Sequence, residues 1–509
     1  METNRSTNVI LNTFWLCFSQ VITIIVNLIS NRVFLHHLGS ELLGVNNLFV
    51  DILTVFSFAD LGIGTAIAFS LYEPIAKQNK KKIKELLQFY KTVFRFIIVI
   101  LIVVGLTYVP FLRYLKTNIE IQKIIIYYLL ILFNFVMEYL FAYREAYITA
   151  KQNMRKLTQI TLYTSVIKTI VQIVIVKLTN NYILFLIANS ISIVMRKLLI
   201  NNYVKEKYQE TKTSKKDSIS QEEKKTILSK SNAMFIQKIG TLGINQTGSI
   251  IVSYIVGVDS WGLLSIYLLL RKAIQDVLAK IYSAFLPSFG DYIAQNDISN
   301  EKEMFYIYSF INEWIYIFCF IALETLASPF VVLFYGKEFV VNKSLSFFVF
   351  FCFFYDGLRN PISALREASG DYDKDKRYTI IATIVNIVLS ILFVSCFGTI
   401  GVYYGFICAV TILHYYRSKY IINNRYNESS ITYFISLILS IGKMIVCYIP
   451  TKLIVELLFK KFCINYLNFV FAIVIITILP NVIYLKINKN NIYLKIIINR
   501  YIKPWRIEL

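Results

Sequence analysis

HLGSELLGVNNLFVDILTVFSFADLGIGTAIAFSLYEPIA, residues 37–76, decides how the rest of the chain is read. The stretch is apolar and long enough to cross a membrane, yet Asp51 and Asp60 lie inside it. A carboxylate near the bilayer centre costs about 2.5–3.5 kcal/mol even on the lenient insertion scale, so such groups face a wet cavity or a partner. Charge at that depth points to a transport pathway.

Working outward, 56% of the 509 residues are hydrophobic and only 17% are charged. The apolar residues fall in runs of about 20, the length of a membrane helix. Spans are expected near 9–30, 42–72, 91–112, 121–143, 157–177, 180–200, 231–257, 261–288, 304–333, 344–366, 378–397, 399–416, 431–456 and 464–485. The runs are continuous rather than alternating, which favours helices over a β-barrel. The fold class is therefore an all-α integral membrane protein with about 14 transmembrane helices.

Most of the 53 Lys and Arg cluster in alternate intervals, as in Lys77–Arg95, Arg144–Lys156, Arg196–Lys230 and the tail after Leu485. With those intervals inside, both termini are expected in the cytoplasm. The net charge of +22 is spread over short loops, which argues against a nucleic-acid partner. The seven cysteines have no paired spacing, so neither structural disulfides nor a zinc site is expected. His36, His37 and His414 read as interfacial residues without a metal-ligand pattern. No cleavable signal peptide is expected, because many spans follow the first.

The longest polar interval, 201–230, reads as a solvated cytoplasmic linker and divides six spans from eight. The expected organisation is an N-terminal lobe of six spans (1–200), the linker (201–230), a second lobe of six spans (231–425), and two accessory helices with a basic tail (426–509). A repeat supports the two lobes. Gly39, Glu41 and Gly44 in LGSELLGVNNLF match Gly257, Asp259 and Gly262 in VGVDSWGLLSIY, and Pro74 and Pro287 follow at nearly equal distances. An even number of spans per unit makes this a parallel pseudo-repeat.

Polar residues inside the spans form stripes. Asn12, Ser19, Thr23 and Ser30 in the first span match Lys238, Thr241, Asn245 and Ser249 in the seventh. Thr158, Thr161, Ser165, Lys168 and Gln172 in the fifth match Thr379, Thr383, Asn386 and Ser390 in the eleventh. Asn134, Glu138 and Glu145 in the fourth match Asp356, Asn360, Ser363 and Glu367 in the tenth. A shared aqueous cavity and packing by hydrogen bonds both produce such stripes. Candidate cavity contacts are Lys168, Lys238, Arg271, Arg359, Asn245 and Gln172, with Arg suited to a phosphate through its planar fork. Asp60, Asp51 and Glu138 are candidate carboxylates for coupling to H+ or Na+; no other cofactor and no metal is expected. Internal pairing competes for several charges, because Lys272, Asp276 and Lys280 are spaced four apart and Asp356 lies three before Arg359. Intramembrane cations (Lys168, Lys238, Arg271, Lys272, Lys280, Arg359, Lys443) equal the acids (Asp51, Asp60, Glu138, Asp276, Glu313, Glu324, Asp356) in number. Net charge alone therefore argues for no anionic substrate.

The segment from NVILNTFWLCFSQ through LG-x4-G-x3-LF, DLGIGTA and SLYEP resembles the N-terminal signature of bacterial oligosaccharide flippases of the Wzx type. These belong to the polysaccharide-transporter branch of the multidrug/oligosaccharidyl-lipid/polysaccharide exporter superfamily, beside MATE and MurJ. The resemblance implies two lobes in a V around a central cavity. It also implies a multi-pass protein of the bacterial inner membrane that moves undecaprenyl-pyrophosphate-linked oligosaccharide repeat units to the outer leaflet by alternating access. No covalent chemistry is implied, and the product would pass to a polysaccharide polymerase and chain-length proteins. The rival readings are a lipid II flippase or a cation-coupled multidrug exporter of the same superfamily. A membrane polysaccharide polymerase is disfavoured because the outer loops are too short to hold catalytic carboxylates.

Overall fold

The computed structural model describes residues 2–57, 63–151, 153–211, 219–283, 285–370 and 372–502. They are helical almost throughout, with no strand among them, and nine helical segments among them are long and apolar enough to cross a membrane. The chain divides into two compact units, Met1–Gly262 and Leu263–Leu509.

The first unit begins with α1 (Glu2–Phe56), interrupted at Gly39, whose φ of 82° and ψ of 170° are non-helical. There follow α2 (Ile63–Ala76), α3 (Lys80–Thr107), α4 (Ile121–Glu138), α5 (Ala142–Ala150), α6 (Met154–Thr179), α7 (Tyr182–Lys207) and α8 (Gln221–Ile255). The unit boundary falls in the first turns of α9 (Val258–Ser283). The second unit continues with α10 (Leu286–Ala294), α11 (Ile298–Phe334), α12 (Lys343–Gly357), α13 (Asn360–Ser369), α14 (Tyr372–Phe397) and α15 (Gly401–Ser418). It ends with α16 (Ser430–Phe462), α17 (Tyr466–Ile487) and the short α18 (Ile492–Ile497).

Local chemistry fixes many of these starts. Asn79 caps α3 by accepting from the Lys82 amide at 3.0 Å, and Asn181 caps α7 by accepting from Ile183 and Leu184. Ser220 and Glu223 form a reciprocal capping box at the start of α8. Asn342, Ser429, Asn465 and Asn491 cap α12, α16, α17 and α18 in the same way.

Among the described residues all fourteen expected spans are helical, but four are not single rods. The second span ends α1 at Phe56 and resumes as α2 at Ile63; Asp60, between them, lies outside the described residues. The fourth breaks between α4 and α5, where Phe141 takes a left-handed φ of 63°. The eighth breaks before α10, with Pro287 in its first turn, where a missing N–H does no harm. The tenth breaks between α12 and α13, with Pro361 in the same place. The broken spans are thus the second and fourth of each repeat.

Burial is inverted relative to a water-soluble helix. On α14 the polar Thr379, Asn386 and Ser390 are buried while Ile380, Ile384, Val388 and Ile391 are exposed. That arrangement suits a hydrocarbon surround, in which apolar side chains lose nothing by facing outward. It also settles the stripe of the eleventh span as interior packing, because Ser390 Oγ donates to Val402 O on α15 at 3.4 Å. In the second unit a buried hydrophobic core of Phe289, Phe305, Tyr308, Ile362, Leu365 and Tyr426 joins α10, α11 and α13 to the turn after α15.

Candidate functional site: repeat junctions and polar nodes

The G-x4-G motif marks two matching junctions, both within the first unit. Gly39 and Gly257 have positive φ, 82° and 143°, where a side chain would be strained. Two residues on, Glu41 accepts from Thr117 Oγ1 at 2.8 Å and from the Asn118 amide at 2.6 Å, while Asp259 accepts from Ser40 Oγ. Five residues on, Gly44 and Gly262 pack backbone to backbone. A Cβ on Gly44 would lie 2.8 Å from the Val258 carbonyl carbon, and one on Gly262 would lie 2.8 Å from that of Ser40. The strand of chain after α3 ties both junctions together, since Lys116 Nζ donates to Ile255 O and Lys116 O accepts from the Val258 amide at 3.3 Å.

The offset between these junctions is constant, 257 − 39 = 259 − 41 = 262 − 44 = 218. The same offset joins Glu138 to Asp356, Lys168 to Asn386, Gln172 to Ser390 and Arg196 to His414. It thus pairs the polar centres of the two repeats.

In the first unit Glu138 is the last residue of α4, directly before the break. Its carboxylate accepts from Arg196 Nη2 on α7, and Lys197 Nζ stands 3.4 Å away while pairing with Glu145 at 2.6 Å. The Lys197 side chain is only 3% exposed, so two carboxylates serve one buried ammonium. Lys168 on α6 lies within electrostatic reach of Arg196 and Glu138, and no ion pair is formed by it among the described residues. Gln172 is committed to packing, its amide donating to Phe185 O on α7 at 3.1 Å. Asp51 on α1 lies beside Ser249 of α8, whose hydroxyl donates to Gln246 O at 2.8 Å. Asn245 turns back to the Thr241 carbonyl of its own helix at 2.9 Å. The Lys238 side chain and Asp60 lie outside the described residues.

In the second unit Asp356 sits just before the matching break and accepts from Arg359 Nη2 at 2.5 Å and Nε at 3.2 Å. His414 is fully buried, with Nε2 3.1 Å from Tyr355 O and Nδ1 2.8 Å from Tyr433 Oη. This corrects the reading of His414 as interfacial: it is the core partner of the Asp356 node. Arg417 is buried beside it and donates to Ser363 Oγ at 3.4 Å. Arg271 on α9 lies near Cys352 and Tyr403, and its Nε is buried without a hydrogen-bond partner among the described residues.

Several intramembrane charges are spent on architecture. Lys272 pairs with Asp276 at 3.3 Å, as the spacing predicted. Glu313 on α11 accepts from Lys443 at 2.8 Å and Ser440 at 2.6 Å on α16, and from Tyr484 at 2.8 Å on α17. Glu324 pairs with Lys452 at 3.3 Å. The accessory helices are therefore fastened to α11 by buried ions. Arg196, Lys197 and Arg417 are absent from the sequence candidates because Arg196 and Lys197 read as the start of the basic interval 196–230 and Arg417 falls just past the twelfth span.

Many apolar helices, matched helix breaks and polar residues at positions 218 apart define the class: a polytopic membrane protein. The chain belongs to the polysaccharide biosynthesis protein family, whose profile matches residues 9–293. No curated protein matches it in sequence. Its fold is that of lipid II flippase MurJ in an inward closed conformation, with 16% identity, a TM-score of 0.64 and coverage of 94% of this chain and 99% of that one. An inward-facing multidrug-resistance MATE transporter of the MOP superfamily gives 15% identity, a TM-score of 0.57 and coverage of 84% and 95%. A single-site mutant of the Vibrio cholerae MATE transporter VcmN gives 15%, 0.56, and coverage of 84% and 99%. At these identities the likeness is one of fold.

Proposed function

We propose that the protein is a flippase that moves undecaprenyl-pyrophosphate-linked oligosaccharide repeat units from the cytoplasmic to the outer leaflet of the bacterial inner membrane. The observation that carries this is the family match over residues 9–293 on a chain with a lipid-flippase fold. Unaided transfer is slow because the sugar hydroxyls and diphosphate would be desolvated in hydrocarbon. A polar path that opens first to one face and then to the other supplies substitute hydrogen bonds while the prenyl tail stays in lipid. No bond is made or broken.

Lys168 and Arg271 are the contacts we assign to the diphosphate or to an acidic sugar. Lys168 forms no ion pair among the described residues, and the buried Nε of Arg271 has no hydrogen-bond partner among them. Arg359 is committed to Asp356, Gln172 to a neighbouring helix and Asn245 to its own helix. Asp51 and Asp60 are the carboxylates proposed for coupling to H+ or Na+; Glu138 is neutralised by Arg196. Both termini face the cytoplasm in this reading, and polymerase and chain-length proteins receive the product.

The test is complementation of a strain lacking its own repeat-unit flippase. Restored surface polysaccharide, with loss of the accumulated lipid-linked intermediate, supports the reading. A lipid II flippase is the second reading, because MurJ shares the fold over 94% of the chain. Rescue of cell-wall synthesis without rescue of surface polysaccharide would select it.

A further inference from the structure

We propose that the second unit carries a binding site for an anionic phospholipid headgroup, enclosed by the C-terminal half of α11, the start of α12 and the C-terminal half of α16. A cavity of about 410 Å³ opens there, apart from the polar nodes described above. Its walls divide by chemistry. Val332, Val455 and Phe459 give an apolar side, while Lys343, Lys452 and Lys460 bring ammonium groups to the same space.

The cations are unequally committed. Lys452 is held by Glu324 at 3.3 Å and by Tyr448 Oη at 2.6 Å. Lys343 reaches Glu456 at 3.2 Å, but its side chain is 82% exposed and that of Glu456 49%, so the pair is weak and exchanges readily for a stronger anion. Lys460 forms no ion pair among the described residues. Ser346, one turn into α12, lines the cavity and is 2% exposed, and its Oγ has no hydrogen-bond partner among the described residues. A hydroxyl buried in this way costs free energy unless something fills the space and bonds to it.

Depth selects a lipid over a free anion. Lys343 begins α12 and Lys460 lies near the end of α16, so both stand at the membrane edge. Lys452 is eight residues deeper, about 12 Å at the helical rise. Below the mouth, α16 exposes Leu453, Ile449 and Ile445, a continuous apolar flank for an acyl chain. A phosphodiester at Lys343 and Lys460 with its chain along that flank uses both the cationic mouth and the apolar flank; free phosphate uses only the mouth.

The experiment is native mass spectrometry of the full-length protein in detergent, incubated with phosphatidylglycerol or phosphatidylcholine. The expected result is preferential retention of phosphatidylglycerol, reduced about five-fold by Lys343→Ala with Lys460→Ala and raised by Glu456→Gln, which frees Lys343. The gain in the second variant separates binding from a folding defect. Equal retention of the two lipids, unchanged retention in the double variant, or displacement by inorganic phosphate would each overturn the proposal. Transport does not enter the readout, so the outcome is independent of the proposed function.

Discussion

Gly44 and Gly262, 218 residues apart, approach so closely that a Cβ on either would lie 3.0 Å from the backbone nitrogen of the other. The contact is reciprocal, because each glycine packs on the carbonyl four residues before its partner, Val258 for Gly44 and Ser40 for Gly262. Two turns from equivalent positions of the repeat thus meet about a local pseudo-twofold. Adding a methyl group there forces backbone apart, and overpacking of this kind costs about 1–3 kcal/mol. Gly44→Ala and Gly262→Ala are expected to lower the thermal unfolding midpoint in detergent and to reduce export. Gly290→Ala, where a Cβ meets nothing within 4 Å, serves as the neutral control.

Gly39 is a different case, since space is open around it and the constraint is its φ of 82°. With ψ at 170° this is the extended positive-φ region that is essentially glycine-only, and a β-carbon there costs about 1–3 kcal/mol. Thermal unfolding midpoints should fall for Gly39→Ala and further for Gly39→Val. Midpoints equal to the parent's in both variants would show that the junction relaxes to an ordinary helix.

The Glu138–Arg196 pair should behave as a partly buried ion pair, with side chains 40% and 21% exposed. Removing the carboxylate takes away the Arg196 partner while Lys197 keeps Glu145; after discounting for solvent, the cost is about 1–2 kcal/mol. Glu138→Gln should therefore lower protein abundance, and the charge exchange Glu138→Arg with Arg196→Glu should recover part of it. A double-mutant cycle with no coupling energy would remove the pair from the account.

Glu313 is more enclosed, 14% exposed, and serves three donors on two accessory helices. Glu313→Ala is expected to cost about 3 kcal/mol, because the Lys443 ammonium is stranded. Limited proteolysis should then cut the accessory helices before the rest of the second unit. Uniform cleavage along the chain would contradict that role.

Outside the membrane, Lys82 donates to Glu223 at 2.6 Å and holds its carboxyl below the ordinary carboxylate range. A depressed folded pKa contributes stability that is present above the unfolded value and lost as pH falls through the folded one. Melting midpoints taken between about pH 6 and pH 3 should fall slightly less steeply for Glu223→Gln than for the parent protein. Identical slopes would show that Lys82 gives no net help.

Much of the architecture is legible in the sequence because membrane insertion imposes long apolar runs, and the G-x4-G spacing survives in both repeats. The breaks in the second, fourth, eighth and tenth spans are not legible from hydropathy, since each half remains apolar across the break. Arg196 and His414 escaped for a related reason. Arg196 follows a run of apolar residues and looks like the start of a loop, although α7 continues to Lys207; His414 looks like an end residue, although α15 carries it into the core. The constant offset of 218 is the signal that links them. Asp356–Arg359 and Lys272–Asp276 were readable as pairs from helical spacing alone.

The most direct measurement is transfer of undecaprenyl-pyrophosphate-linked oligosaccharide across proteoliposomes containing the purified protein, compared with Lys168→Ala, Arg271→Ala and the double variant at matched incorporation. The account predicts protein-dependent transfer that falls in each single variant and is lost in the double. Transfer by the double variant at the parent rate would contradict it.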